Sequence, residues 1–109
     1  MEGDKQLELK FDDVALLKSI ELHGRKLKEV ICVEEMSELT KEICKDIRDE
    51  TRRDNLVEEF SDVLICMRML SLIHDIQPEE VQKWIEFKIK RQIERDEKYV
   101  KKLKEAGDI

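Results

Sequence analysis

The sequence predicts an all-α fold, and three features of its composition support this. Charged residues make up 44% of the 109 residues, against about 25% in an average soluble domain. Glycine occurs 3 times, proline once, and aromatic residues amount to 5%, too few for a turn-rich β-sandwich or barrel. Apolar residues still reach 40%, enough for a core and too many for a disordered acidic chain. We expect one helical domain over residues 1–109, with loose or solvated ends at 1–10 and 97–109.

Capping residues and apolar periodicity predict four helices. Asp12 is a good N-cap for the first helix, and Gly24 follows where a helix C-terminus favours a left-handed residue. Asn55-x-x-Glu58 has the form of a capping box for the third helix, and Pro78 suits the first position of the fourth. The predicted spans are about 12–22, 25–48, 55–74 and 77 to beyond 95, with the polar loop 49–54 as the clearest connection.

Charge and hydropathy exclude several classes of protein. The net charge of −6 argues against non-specific binding to nucleic acid or membranes, which normally requires a basic surface. The first residues lack the basic and apolar regions of a signal peptide, and the longest apolar stretch, 63–73, is too short to span a bilayer. Cys32, Cys44 and Cys66 lie among apolar residues without metal-type spacing, so we expect three buried, reduced thiols in a cytoplasmic protein.

Two pairs of acidic residues lie three positions apart, one pair on each of the two central helices. At about 100° per residue, Glu35 and Glu38 lie beside the apolar arc of the second helix. That arc consists of Val33, Met36, Leu39, Ile43, Cys44 and Ile47. The third helix is apolar nearly all round, and Glu59 and Asp62 each fall between two apolar residues. A carboxylate in such a surface must be neutralised, paired or bound to a metal, because an unpaired charge is costly there.

Two interpretations of these acids remain open. In the first, they pair with Lys or Arg or stay hydrated at the rim of the bundle. In the second, the two pairs face each other and hold a metal. Carboxylates without histidine are hard oxygen ligands, which suit Mg²⁺, with Mn²⁺ as a substitute. The Glu-x-x-His pairs typical of di-iron bundles are absent from the sequence.

A basic stripe lies on the fourth predicted helix. Lys88, Arg91 and Arg95 fall within about 60° of one another, and Trp84 lies one turn earlier. Cations beside a metal-binding acidic cluster are what a polyphosphate substrate needs, because metal and side chains can share its oxygens. The alternative is a solvated basic face paired with acids of the same helix.

The residues in these positions resemble a known family. Segments 33–39 (Val-Glu-Glu-Met-Ser-Glu-Leu) and 55–63 (Asn-Leu-Val-Glu-Glu-Phe-Ser-Asp-Val) look like the signature of the MazG-like all-α nucleoside triphosphate pyrophosphohydrolases. That signature is Glu-Glu-x-x-Glu, a variable loop and Glu-x-x-Asp, with a later Lys-x-x-Arg that matches 88–91. The resemblance covers about 22–95, and it is closest to the short single-domain members. Glu86 stands near a place where many members have asparagine.

The resemblance implies a fold, a reaction and residue roles. The fold is a four-helix bundle completed by oligomerisation, as a homodimer or homotetramer. The reaction is hydrolysis of a nucleoside triphosphate to the monophosphate and pyrophosphate, by water attacking the α-phosphorus. Lys88 and Arg91 would contact the triphosphate, with the base near Trp84. Four carboxylates would bind Mg²⁺: Glu35, Glu38, Glu59 and Asp62.

Two other functions are compatible with the same residues. Charge-rich amphipathic helices also occur in non-catalytic interaction modules, and carboxylate clusters occur in di-metal redox bundles. Oligomerisation is expected from the residues as well. A short first helix cannot cover a third helix that is apolar all round, so a second copy should do so.

Overall fold

The computed structural model describes residues 8–109, which form four α-helices and no strand. The helices are α1 (Asp13–His23), α2 (Arg25–Ile47), α3 (Arg53–His74) and α4 (Pro78–Glu105). The predicted all-α class is therefore confirmed for this part of the chain. Two compact units divide at residues 75 and 76, so α1–α3 and α4 are described separately. The assignment of residues 1–109 to a single domain stays a prediction, and residues 1–7 of the expected loose end 1–10 lie outside the described residues.

Predicted signals mark both ends of α1. The Asp12 carboxylate accepts a hydrogen bond from the Ala15 backbone N–H at 3.1 Å, which satisfies one free donor of the first turn. Gly24 ends the helix with φ of +87°, and its N–H donates to the Ile20 carbonyl at 2.8 Å. The sharp change of direction between α1 and α2 therefore depends on a residue without a side chain.

The beginning of α3 differs from the prediction. The helix starts at Arg53, directly after Arg52 in an extended conformation, so the capping box expected at Asn55 and Glu58 is wrong. The reason is a tertiary contact. The Thr51 hydroxyl donates to the Glu42 carboxylate at 2.8 Å, which anchors the chain to α2 just before α3 begins.

Polar contacts join the three helices of the first unit. Arg68 of α3 donates from both Nε and Nη2 to the Asp13 carboxylate of α1, with the Nε–Oδ1 distance at 2.9 Å. His74 at the end of α3 approaches Glu29 of α2, with 2.5 Å between Nε2 and Oε1. Both contacts lie in the C-terminal third of α3 and hold that part of the helix against α1 and α2.

The buried core of the described residues is small and rich in sulfur. Its buried apolar side chains are Cys32, Cys66 and Met69, and the two cysteines are reduced as predicted. Cys44 is exposed, contrary to the prediction, because it lies about 120° round α2 from Cys32. The predicted apolar arc is also partly wrong, because α2 packs on α3 through the side that carries Cys32 and Glu35. Val33, Ile43 and Ile47 are 67%, 46% and 76% exposed.

The outer side of α3 remains apolar and exposed within the described chain. Val57, Phe60 and Met67 each have about half of their surface accessible. Burial of this surface by another copy stays a prediction. None of the helices in residues 8–109 is long and apolar enough to cross a membrane.

Candidate metal centre

Three carboxylates from two helices converge on one point. Glu35 of α2 and Glu59 and Asp62 of α3 each offer an oxygen, and these oxygens lie within 4.8 Å of one another. Glu59 and Asp62 share a face of α3 with buried Cys66 and Met69, as their spacing of three, seven and ten residues requires. The structure therefore brings together three of the four acids singled out from the sequence.

Burial and mutual repulsion raise the pKa of two of these acids. The Glu35 pKa is raised, chiefly by desolvation and then by the Asp62 charge and a hydrogen bond with Asp62. The Glu59 pKa is raised by desolvation and then by the charge of Asp62. Both shifts mean that the cluster favours added positive charge, either protons or a cation.

The cluster lacks a cation from the described chain. None of the three carboxylates forms an ion pair with a Lys, Arg or His in residues 8–109. The Oε2 atom of Glu59 is buried and has no hydrogen-bond partner there. An orphaned carboxylate oxygen is costly unless something binds it. This observation favours a metal ligand over a structural ion pair, and the all-oxygen donor set fits Mg²⁺.

Glu38, the fourth predicted ligand, lies at the edge of the cluster. Its charge contributes to the raised pKa of both Glu35 and Glu59, so it is near them. Its carboxylate is also 3.3 Å from the Lys41 ammonium, and both side chains are largely exposed. Such a surface pair is weak, so Glu38 is available to the cluster at little cost.

A fifth carboxylate, Glu42, was assigned no role from the sequence. It lies seven residues after Glu35 on the same face of α2 and is only 7% exposed. Its two oxygens accept hydrogen bonds from the Thr51 hydroxyl at 2.8 Å and the Lys45 ammonium at 3.2 Å. These donors lower its pKa. The i, i+7 spacing could have identified a buried position, but the Thr51 partner depends on the loop conformation.

The predicted substrate-binding residues lie together on α4. Arg91 stacks over the Phe87 ring at 5.8 Å, and Trp84 meets the same ring edge-on with centroids 5.8 Å apart. Lys88 and Arg95 are exposed. One helix therefore carries all four residues at the predicted spacing, and their approach to the carboxylates stays a prediction.

A cavity of about 160 Å³ lies between α2 and α3 and shares a wall with the acidic cluster. Its lining includes Glu35 and Asp62 of the cluster and the core residues Cys32, Cys66 and Met69. Burial raises the pKa of the Cys66 thiol to about 12, so this thiol is protonated at neutral pH and is a poor nucleophile.

Comparisons with protein-family models, curated proteins and solved structures gave no significant match to this chain.

Proposed function

We propose that this protein is a Mg²⁺-dependent nucleoside triphosphate pyrophosphohydrolase that releases pyrophosphate and a nucleoside monophosphate. The observation that supports this best is the convergence of Glu35, Glu59 and Asp62. Within residues 8–109 these acids lack ion-pair partners and include a buried oxygen without a hydrogen-bond partner. The resemblance of segments 33–39 and 55–63 to the MazG-like signature suggests the reaction, which is hydrolysis of a nucleoside triphosphate.

The roles of the acids follow from their positions. Glu35, Glu59 and Asp62 would hold the ion, and Glu38 would join them by leaving Lys41. When bound, Mg²⁺ lowers the pKa of coordinated water and offsets phosphate charge, and Mn²⁺ can substitute.

The side chains that would bind the substrate lie on α4. Lys88, Arg91 and Arg95 would bind phosphate oxygens, since guanidinium and ammonium groups donate charge-assisted hydrogen bonds to them. Trp84 is 62% exposed and offers an aromatic surface to the base. Bringing these side chains to the carboxylates requires α4 to complete the bundle, in its own chain or in another copy.

Assembly is the second part of the proposal. The exposed apolar surface on α3 favours a homodimer or homotetramer. The free thiols of Cys32, Cys44 and Cys66 suit the reducing cytoplasm. Light scattering at micromolar concentration should give at least twice the chain mass of 13.0 kDa. A folded monomer at that concentration would contradict this part and leave the metal site unaffected.

A pyrophosphate-release screen over a panel of ribo- and deoxyribonucleoside triphosphates tests the activity. We expect release with Mg²⁺ and none with the metal chelated. Asp62→Asn should abolish release and remain folded, because the change keeps the shape of the side chain and removes the charge. If no triphosphate is hydrolysed and neither Mg²⁺ nor nucleotide binds, the proposal is contradicted and the result agrees with an interaction module, which should bind neither. A preference for iron with redox turnover would indicate the di-metal alternative.

A further inference from the structure

Phe87 is a large apolar residue on the polar side of α4. At about 100° per residue, it lies about 160° round the helix from both Ile85 and Ile89. These two belong to the apolar arc of α4, which consists of Val81, Ile85, Ile89 and Ile93. Phe87 is also 54% exposed. A position in the apolar arc therefore does not explain this aromatic ring.

The Phe87 ring contacts two of the residues that are predicted to bind the substrate. The guanidinium carbon of Arg91, one turn later, lies 5.8 Å from the centroid of the ring. The Trp84 ring, one turn earlier, meets it edge-on with an angle of 87° between the ring planes. Residues three and four apart on a helix are neighbours on its surface, so α4 itself fixes this arrangement.

The Arg91 side chain is held against the helix and is not extended into water. Among residues 78–102, Arg91 is the one residue that is not exposed. Its Nε atom is buried and has no hydrogen-bond partner in residues 8–109. A buried donor without an acceptor is costly. An anion oxygen that accepted a hydrogen bond from this edge of the guanidinium would relieve that cost.

Stacking on a ring and binding an anion use different parts of a guanidinium. The aromatic ring attracts the face of the cation, whereas the N–H groups lie in the plane of the cation and donate from its edge. A ring that holds the face therefore leaves the edge available. It also restricts the rotamers of a flexible side chain before the anion arrives, which lowers the entropy lost on binding.

We propose that Phe87 is a positioning residue that holds the Arg91 guanidinium ready to bind the phosphate oxygens of the substrate. This inference rests on the proposed function, which gives Arg91 the triphosphate as its ligand. Phe87 acts through Arg91 and does not need to touch the substrate. Its replacement should therefore change the binding of phosphates and leave the fold of the protein unchanged.

The NMR signal of the Arg91 Nε–H group tests the contact in the free protein. The ring current of Phe87 should displace this signal from the position typical of exposed arginine side chains. Phe87→Leu should return the signal to that position, whereas Phe87→Tyr, which keeps the ring, should not. Tyr99→Leu is the matched control, because it removes another exposed ring from the same helix. A wild-type signal without displacement, or a signal unchanged in Phe87→Leu, would overturn the proposal.

Calorimetric titration with inorganic pyrophosphate in MgCl₂ tests the consequence for phosphate binding. Phe87→Leu should weaken binding about three- to fivefold, the effect of losing an exposed cation–π contact. Phe87→Tyr and Tyr99→Leu should bind pyrophosphate as the wild type does. Adding Phe87→Leu to Arg91→Gln should cause no further loss, because no guanidinium is then left to position. Wild-type affinity in Phe87→Leu, an equal loss in both backgrounds, or no pyrophosphate binding by the wild type would overturn the proposal.

Failure of this inference differs from failure of the proposed function. Pyrophosphate binding that depends on both Phe87 and Arg91, with no triphosphate hydrolysed, would reject the hydrolase and retain the positioning role. Triphosphate hydrolysis by the wild type, with unchanged pyrophosphate affinity in Phe87→Leu, would retain the hydrolase and reject the positioning role.

Discussion

Replacing Glu35 by glutamine should stabilise the metal-free protein. Glu35, Glu59 and Asp62 offer oxygens within 4.8 Å of one another. Two unit charges at that separation repel by about 1 kcal/mol even in a water-like dielectric. The amide of Glu35→Gln can also donate to Asp62 as a protonated Glu35 would. Allowing for screening of partly exposed charges, we expect a gain of about 1 kcal/mol, or a rise in Tm of about 4–8 °C.

The pH dependence of this gain follows from the raised pKa of Glu35. The folded protein binds a proton at Glu35 more readily than the unfolded chain does. The contribution of this group to stability is therefore fully present below its unfolded pKa and is lost as the pH rises through its folded pKa. The advantage of Glu35→Gln should be largest at neutral pH and should shrink as the pH is lowered toward that raised pKa.

Thermal melts in EDTA across this pH range, with and without Mg²⁺, provide the assay. Glu34→Gln is the matched control, because Glu34 is the exposed neighbour on the same helix. Mg²⁺ at about 100 times its Kd should stabilise the wild-type protein by about 2.7 kcal/mol and should stabilise Glu35→Gln much less. A Glu35→Gln variant that melts below the wild type in EDTA would refute the reasoning, because it would show that Glu35 has a stabilising partner.

Three further changes test other parts of the structure. Glu59→Gln should abolish Mg²⁺-dependent pyrophosphate release and leave the fold intact by circular dichroism, whereas Glu58→Gln, at an exposed position, should retain most activity. Arg68→Met should loosen α1, which would be seen as faster amide hydrogen exchange in that helix. The wild type should approach this behaviour in acid, because Arg68 lowers the Asp13 pKa and the stabilisation from this ion pair is lost as the pH falls through that pKa. Unchanged exchange in Arg68→Met would show that the contact is not needed. Gly24→Ala should destabilise by about 1 kcal/mol or more in chemical denaturation, because a φ of +87° strains a residue with a side chain. No neighbour lies within 4 Å of the added Cβ, so the cost is conformational and not steric, and a neutral result would mean that the backbone can relax.

The sequence was informative wherever a single helix determines the answer. Glu59 and Asp62 share a face because residues three apart on a helix always do, so their position beside Cys66 and Met69 could be predicted. The ends of α1 depend on Asp12 and Gly24, which act on their own backbone. These features need no knowledge of a neighbouring helix.

The sequence was misleading where a second element decides the outcome. Val33 belongs to the most apolar side of α2, yet it is exposed because the side carrying Cys32 and Glu35 packs on α3. Asn55 has a favourable local signal for a helix start, but the Glu42–Thr51 hydrogen bond starts the helix earlier. Local propensity is a weak guide when a tertiary contact competes with it.

Isothermal titration calorimetry with Mg²⁺ and then a non-hydrolysable triphosphate tests the central claim most directly. We expect the wild-type protein to bind Mg²⁺ and then the triphosphate, and we expect Asp62→Asn to bind neither. Absence of Mg²⁺ binding by the folded wild type, or equal binding by Asp62→Asn, would contradict the claim that the carboxylates of α2 and α3 form a metal centre.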